Sequence, residues 1–220
     1  MLHTVWLVPA LPLAGFLLLV LFGRRLAEPK AGWLAATMCG SSFFVTVLVF
    51  LDMVSKTAEE RSHVVRVFSW IPVGSLQVDL AFLADQLSIT MALFITGIGT
   101  LIHLYAIGYM HGDPKFSKFF IYLNLFVFSM LMLVLGENLL VTFLGWEGVG
   151  TCSYFLISFW HTRDSAATAG KKAFVTNRVG DWGFMMAMFL AFGAVGTLSY
   201  GTINSAAHGG SISHVTATAI

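Results

Sequence analysis

The sequence has 220 residues, of which 57% are hydrophobic and 10% are charged, and its formal net charge is only +1. Its mean hydropathy of +0.83 lies far above the values of soluble globular domains. These values exclude a soluble domain and predict an integral membrane protein. A bilayer core of about 30 Å needs roughly 20 apolar residues per helix, and several runs of that length are present. The predicted fold class is therefore all-α, a polytopic helical membrane bundle.

Six apolar runs predict six transmembrane helices. They are placed at 3–22, 32–53, 86–108, 117–135, 139–160 and 170–195. Arg24 and Arg25 follow the first run and no basic residue precedes it, so this run is interpreted as a retained span. The tail "HVTATAI" is typical of the start of a seventh apolar run. The sequence is thus expected to be the front part of a longer polypeptide, the alternative being a short protein with a frayed end.

The long break between the second and third spans carries a β pattern. "VVRVFSW" is β-branched and aromatic, "SLQVDLAF" alternates polar and apolar residues, and "IPVG" lies between them. This order predicts a short β-hairpin. The expected organisation has four parts. Residues 1–54 form the first two helices, and 55–84 form an outer loop with the hairpin. Residues 85–196 form the proton-translocation module of helices three to six, and 197–220 form an outer loop and the start of a seventh helix.

Basic residues are distributed unevenly between the two sets of alternate loops. One set holds Arg24, Arg25, Lys30, Lys115, Lys118, Arg163, Lys171 and Lys172, and the other holds Lys56, Arg61 and Arg66. Lys and Arg near span ends are retained in the cytoplasm, so the amino terminus and the hairpin are predicted to lie outside. Asp85 and Glu137 begin the third and fifth spans, where each is interpreted as a helix cap.

Glu147 lies near the middle of the fifth span, where a carboxylate costs at least about 2.5 kcal/mol. At 100° per residue, Thr151, Tyr154 and Ser158 fall on the same face of the helix. Glycines at 145, 148 and 150 let a neighbouring helix or water approach. A carboxyl group so placed needs a proton or a nearby cation. Two interpretations stay open: a proton relay, and a glutamate that pins helices together.

The sixth span carries Arg178 and Asp181 three residues apart, so the two side chains can pair on one helix face. Lys171 lies on the same face, and either belongs to this charged face or sits at the membrane interface, as expected for Lys172. The pair is either a structural salt bridge or has a role in tuning the charge of Glu147 or in binding a partner subunit. His103, in the third span, has Thr96 and Thr100 as expected hydroxyl partners, and is either a structural histidine or a proton carrier.

Neither a metal site nor a redox cofactor is expected in this chain. Cys39 and Cys152 fall in different apolar runs without the CxxC spacing of metal sites. His103 is the only one of seven histidines well inside a span, whereas a haem between helices typically needs two. The expected partner of the apolar surface is the lipid bilayer, and no nucleic-acid partner is expected.

Four segments resemble the distal antiporter-like membrane subunit, subunit L, of bacterial respiratory complex I. They are "LADQLSITM", "LIHLYAIGYM", "KFFIYLNLFVFSMLMLVLGENLLVTFLGWEGVGTCSYFLISFW" and "KKAFVTNRVGDWGF". The similarity is nearly continuous from Asp85 to Gly193, and "GWEGVG" and "NRVGD" are highly specific to this subunit and its relatives. The chain therefore resembles the amino-terminal part of a member of that family.

The resemblance implies a subunit of a proton-pumping NADH:quinone oxidoreductase that moves protons in response to quinone chemistry elsewhere. Flavin and iron–sulfur clusters are expected in other subunits, and the adjacent antiporter-like subunit is the chief expected partner. Glu147 matches the family's essential glutamate, and Arg178 and Asp181 match the charged pair that modulates coupling. The family's partner lysine lies on a broken seventh helix beyond this sequence. Alternatives are the large subunit of a sodium/proton antiporter, a hydrogenase membrane subunit, and a membrane scaffold; "NRVGD" favours complex I.

Overall fold

Six long apolar helices and one β-hairpin dominate the computed structural model, which describes residues 2–23, 25–26, 28–74 and 76–209. The elements are α1 (Leu7–Phe22), α2 (Lys30–Val54), β1 (His63–Val73), β2 (Leu76–Ala84), α3 (Gln86–Tyr109), α4 (Phe116–Leu135), α5 (Leu139–Ile157), α6 (Asp164–Val195) and α7 (Tyr200–His208). The helices α2 to α6, and α1 taken together with the residues before it as Leu2–Phe22, are each long and apolar enough to cross a membrane. The predicted helical membrane architecture is confirmed.

Most helix boundaries fall within a few residues of the predicted spans, but α6 begins six residues before the predicted start at 170. The added segment, "DSAATA", is rich in alanine, the strongest helix former, so the helix extends beyond its apolar part. As a consequence Lys171 and Lys172 lie about two turns inside α6 and not at its first residue.

The β-hairpin between α2 and α3 is confirmed. β1 and β2 pair antiparallel from His63 with Ala84 to Val73 with Leu76, and two bulges interrupt the register. Gly74, in the turn, has a φ of 55°, which glycine adopts without strain. The hairpin is joined to the chain's first residues, because the ring nitrogens of His63 and His3 lie 2.9 Å apart.

Successive helices run in opposite directions, so the loops gather at two ends of the bundle. The hairpin end holds the hairpin and the start of α5, where Phe82 bridges to Gly136 and Asn138 bridges to Ser199. The basic end holds the turns after α1, α3 and α5, where Trp160 donates a hydrogen bond to Asp113 at 3.0 Å. The grouping of the loops into two alternate sets is as the sequence predicts.

The helices α1 to α4 pack together, α5 packs on α4, and α6 packs on α5 at the edge of the described bundle. The largest fully buried side chains of the core include Phe120, Leu131 and Ile89. The face of α6 that points away from α5 exposes large apolar side chains, among them Val179, Trp182 and Phe189. This packing order places α5 between the apolar unit of α1 to α4 and the edge helix α6.

One of the two predicted caps is confirmed and the other is wrong. The Asp85 side chain accepts a hydrogen bond from Ser88 N at 2.7 Å, which forms a capping box at the start of α3. At the start of α5 the cap is Asn138, whose side chain accepts from Val141 N at 2.9 Å. Glu137 stands one residue too early to cap, and its carboxylate instead accepts a hydrogen bond from the Ser199 hydroxyl.

The last part of the chain contains a helix that the sequence did not predict. Residues 197–220 were expected to form a loop followed by the start of an apolar helix, whereas α7 occupies Tyr200–His208. The Tyr200 hydroxyl donates a hydrogen bond to Thr142 at 2.9 Å, which fastens α7 to α5. The expected seventh apolar run lies at 214–220, outside the described residues.

Candidate functional site

Glycine spacing on α5 allows the helix that carries Glu147 to press against α4. A Cβ on Gly145 would lie 2.4 Å from Leu133 N, and one on Gly148 would lie 2.5 Å from the Ser129 hydroxyl oxygen. Nothing lies within 4 Å of the Cβ position at Gly150. Two of the three glycines therefore permit the close helix contact that the sequence predicts, and they fix the rotation of α5 so that Glu147 points away from α4.

Arg178 joins two carboxylates from two helices. Its Nη1 forms an ion pair with Glu147 Oε2 of α5, and the same nitrogen lies 3.4 Å from Asp181 Oδ2, one turn along α6. The Arg178 and Asp181 pair is as the spacing predicts. The bond from Arg178 to Glu147 crosses between helices and supplies the cation that an intramembrane carboxylate needs.

Two aromatic side chains complete this charged cluster, which we define as Trp146, Glu147, Phe174, Arg178 and Asp181. Trp146 Nε1 donates a hydrogen bond to Asp181 Oδ1 at 2.7 Å. The guanidinium carbon of Arg178 lies 4.5 Å from the Phe174 ring centroid, within the range of a cation–π contact. Sequence reasoning missed Trp146, although an indole N–H in the middle of a span needs a hydrogen-bond acceptor.

Burial differs between the two carboxylates of the charged cluster. The Asp181 side chain is 6% exposed, that of Glu147 is 22% exposed, and that of Arg178 is 40% exposed. Asp181 accepts a hydrogen bond from Trp146 and forms an ion pair with Arg178, whereas Glu147 has Arg178 alone among the described residues. Two carboxylates share one guanidinium, so the cluster carries one uncompensated negative charge when both are ionised. The site can accept one proton without an excess positive charge, and Glu147 is its less restrained acceptor.

The polar stripe that begins at Glu147 faces α6, as three contacts show. Arg178 meets Glu147, the Phe174 ring lies 5.6 Å from the Tyr154 ring, and a Cβ on Gly170 would lie 2.8 Å from Ser158 Cβ. At the basic end, a cleft of about 210 Å³ is lined partly by Tyr154 and Ser158. The stripe therefore extends from the charged cluster to an opening at that end.

Lys171 and Lys172 lie outside the charged cluster. Both side chains are exposed, and neither forms an ion pair with the described residues. Lys171 shares the face of Arg178 by its spacing of seven residues, but it is about 10 Å farther along the axis of α6.

His103 is separated from the charged cluster by α4 and is 1% exposed. Its Nδ1 donates to Gly99 O at 2.7 Å, and Nε2 lies 3.5 Å from the Asn124 side-chain nitrogen. The expected hydroxyl partners are wrong, because Thr96 and Thr100 each donate to a carbonyl one turn back in α3. Within the described residues the structure does not bring His103 to Glu147.

The helices and the charged cluster together define a polytopic membrane protein with an ion pair inside its spans. The described residues contain no group of three or more side chains that could hold a metal ion. Two family descriptions match the sequence: "NADH-Ubiquinone oxidoreductase (complex I), chain 5 N-terminus" over residues 70–120 and "NADH:quinone oxidoreductase/Mrp antiporter, TM" over residues 136–219. The chain belongs to this family of antiporter-like subunits, as its resemblance to subunit L implied.

Similar curated proteins carry the same assignment. The chain is 50% identical to NADH-quinone oxidoreductase subunit L of Mycobacterium tuberculosis (strain ATCC 25618 / H37Rv) over 198 residues, 90% of this chain and 31% of that protein. It is 40% identical to subunit L of Escherichia coli (strain K12) over 190 residues, 86% of this chain and 31% of that protein. The chain thus spans about a third of the length of the curated relatives it matches.

Two solved membrane complexes share the fold. A chain of the membrane-bound sulfane sulfur reductase, an archaeal respiratory membrane complex, aligns with a TM-score of 0.79 at 16% identity over 92% of this chain and 40% of that chain. A chain of the Mrp complex from Dietzia sp. DQ12-45-1b aligns with a TM-score of 0.75 at 23% identity over 91% of this chain and 20% of that chain. At these identities the likeness concerns the fold alone.

Proposed function

We propose that the chain is the amino-terminal part of a proton-translocating membrane subunit of NADH:quinone oxidoreductase, which moves protons across the membrane as quinone is reduced elsewhere in the complex. The family and the relatives named subunit L support this function. In this proposal the translocation module comprises residues 85–196. The chain itself holds no redox centre, and flavin and iron–sulfur clusters belong to other subunits.

The observation that carries the proposal is the sharing of Arg178 between Glu147 and Asp181. The guanidinium can be held by Asp181 alone, because that carboxylate is fixed by Trp146 as well. Glu147 is then free to take up a proton, and when it releases the proton it regains Arg178 as partner. A relay must gain and lose a proton at one group, and this arrangement provides a stabilised state before and after the transfer.

The polar stripe supplies the proton's approach in this mechanism. Thr151 follows Glu147 by one helical turn on the same face of α5, and Tyr154 and Ser158 line the cleft at the basic end. That end is the cytoplasmic side in the proposed topology, because it carries the larger number of basic residues. The amino terminus accordingly lies outside a bacterial inner membrane, and protons reach Glu147 from the cytoplasm. Lys171, near the entry, and His103, on the far side of α4, are assigned to proton translocation or coupling in this proposal.

The rest of the pathway is assigned to parts of the protein that follow residue 220. The resemblance to subunit L implies a lysine on a broken seventh helix as the next proton carrier. It also implies that Arg178 and Asp181 transmit coupling to the adjacent antiporter-like subunit. The exposed position of α6 at the edge of the described bundle leaves room for both the seventh helix and the adjacent subunit to pack there.

The proposal is tested by replacing Glu147 in the assembled complex. Glu147→Gln keeps the size and hydrogen bonds of the side chain but cannot titrate, so we expect near-normal NADH:quinone electron transfer in leaky membranes and a sharp loss of proton pumping. Glu147→Asp still titrates and should retain much of the pumping. Proton uptake into vesicles, normalised to electron flux, is the measurement.

Lys172→Met provides the control, because Lys172 is exposed and forms no ion pair with the described residues. We expect its proton-to-electron ratio to change less than that of Glu147→Gln. A Gln variant that pumps like the wild type would make the Glu147–Arg178 bond a structural pin and leave the scaffold function ahead.

A sodium/proton antiporter subunit is the second candidate function. One matching family description includes Mrp antiporters, and the chain shares its fold with a chain of an Mrp complex. This candidate predicts that sodium stimulates proton movement in the vesicle assay in the absence of NADH. Sodium-independent pumping that requires NADH would exclude it.

A further inference from the structure

A cleft of about 680 Å³ opens at the basic end, between the end of α1 and the start of α4. Its apolar lining includes Leu19, Val20 and Ile121, and its polar lining, here called the rim, includes two lysines and two carboxylates. We propose that this cleft binds the headgroup of a zwitterionic phospholipid, phosphatidylethanolamine. Lys115 and Lys118 bind the phosphate, and Glu28 and Asp113 bind the ammonium group.

The two lysines are available for the phosphate. Neither Lys115 nor Lys118 forms an ion pair with the described residues, and the Lys118 ammonium lies 5.7 Å from the Tyr122 ring centroid. They flank the first turn of α4, so both side chains can reach one phosphate from the same side of the cleft. An ammonium binds phosphate through charge-assisted hydrogen bonds.

The carboxylates are held in place mainly by neutral donors. Asp113 accepts from Lys115 N at 2.7 Å and from Trp160 Nε1 at 3.0 Å. Glu28 accepts from Gly112 N at 3.1 Å and also bonds His111. Backbone and indole N–H groups orient a carboxylate without cancelling its charge. Among its described residues the rim thus carries two cations and two anions, and this balance matches a zwitterion better than an anionic headgroup.

The cleft also has the amphipathic form that a phospholipid needs. Leu17, Val20 and Leu21 of α1 are 48%, 51% and 71% exposed. They lie within two turns of the end of α1, so acyl chains can follow them into the bilayer while the headgroup stays at the polar rim. The site is separate from the charged cluster between α5 and α6, and it does not depend on the proposed proton transfer.

The test uses the assembled, detergent-purified complex and a phosphatidylethanolamine with a diazirine in its acyl chain near the glycerol. After illumination, adducts are mapped by mass spectrometry. We expect adducts on residues 17–21 and 116–121. Excess unlabelled phosphatidylethanolamine should suppress this labelling and inorganic phosphate should not. Phosphatidylglycerol should compete about fivefold less effectively than phosphatidylethanolamine. Lys115→Gln should lower the labelling about fivefold, since one lysine near the surface is worth about 1 kcal/mol.

Lys30→Gln is the matched control, because Lys30 is an exposed lysine at the same end that does not line the cleft. It should label like the wild type. Lys118→Gln, at an exposed position, gives the same test if Lys115→Gln fails to assemble. Glu28→Gln should let phosphatidylglycerol compete as well as phosphatidylethanolamine does. Adducts elsewhere only, unchanged labelling in both lysine variants, or equal competition by the two lipids in the wild type would each overturn the proposal.

Discussion

Arg178 and its two carboxylates show how the surroundings divide the roles of similar side chains. Asp181 is 6% exposed and is held by both Trp146 and Arg178, so it is the fixed anion of the charged cluster. Glu147 is more exposed and depends on Arg178 alone among the described residues. The less restrained carboxylate is the better candidate for reversible protonation, since losing its proton does not disturb the indole hydrogen bond.

The first residue-scale prediction concerns Asp181. Asp181→Asn keeps an oxygen for Trp146 but leaves Arg178 with Glu147 only, so Glu147 should hold the guanidinium continuously. We expect a lower proton-to-electron ratio and a reduced yield of assembled complex. Removing one partner of a buried pair costs about 3 to 5 kcal/mol, and the partial exposure of Arg178 places this case below that range.

Trp146→Phe is the control for Asp181→Asn, because it removes the hydrogen bond to Asp181 without changing any charge. Its effect on pumping should be smaller than that of Asp181→Asn. Assembled complex is measured by native gel electrophoresis, and pumping by proton uptake per electron. Wild-type values for Asp181→Asn in both assays would show that the pair has no role in coupling.

At the scale of elements, the contact of α5 with α4 depends on two glycines. Gly145→Ala would place a methyl group 2.4 Å from Leu133 N, a backbone atom that cannot turn aside. The helices must separate, and we expect a destabilisation of about 1 to 3 kcal/mol. Gly150→Ala meets nothing within 4 Å and should be neutral or slightly stabilising. Thermal inactivation of the assembled complex compares the two variants, and equal midpoints would refute the packing role of Gly145.

Sequence periodicity predicts elements better than it predicts how they meet. The six helices follow from hydropathy, and the Arg178–Asp181 pair follows from a spacing of three residues within one helix. The bond from Arg178 to Glu147 could not be predicted, because it depends on the rotation and depth of α6 against α5. The indole donor Trp146 was missed for the same reason.

Boundary errors at the element scale have local causes. The cap of α5 is Asn138 and not Glu137, a difference of one residue that hydropathy does not resolve. The short helix α7 is polar and lacks the apolar run on which the prediction of spans depended. Both features lie near the hairpin end, where hydrogen bonds of Glu137 and Tyr200 join α5 to the segment around the start of α7.

At the scale of the whole molecule, the charged cluster lies at the edge of the described bundle and not at its centre. The four helices α1 to α4 bury most of the largest core side chains, while α5 and α6 carry the ionic groups against that unit. The apolar packing of the described bundle is thus concentrated in α1 to α4, and the charged cluster lies between α5 and α6. A helix that packs on the open face of α6, where Val179 and Trp182 are exposed, could respond to the charge state of the cluster.

The orientation of the bundle gives the last prediction. The basic end should face the cytoplasm, so an impermeant maleimide added to intact cells should label Thr57→Cys, at the hairpin end, and should not label Ser165→Cys until the membrane is opened. Ser117→Cys, half-buried at the basic end, should also stay unlabelled in intact cells. Both cysteines of the described chain are buried, which keeps the background low.

The opposite labelling pattern would invert the direction of the proposed proton path. Because α5 and α6 are antiparallel and the stripe from Glu147 leads to the cleft at the basic end, the side of Ser165 fixes the side of the membrane on which this stripe opens. With Ser165 inside, the stripe is an uptake path from the cytoplasm. With Ser165 outside, it would be a release path, and the uptake path would have to lie on the hairpin side of Glu147, where α5 is capped by Asn138 and covered by β2.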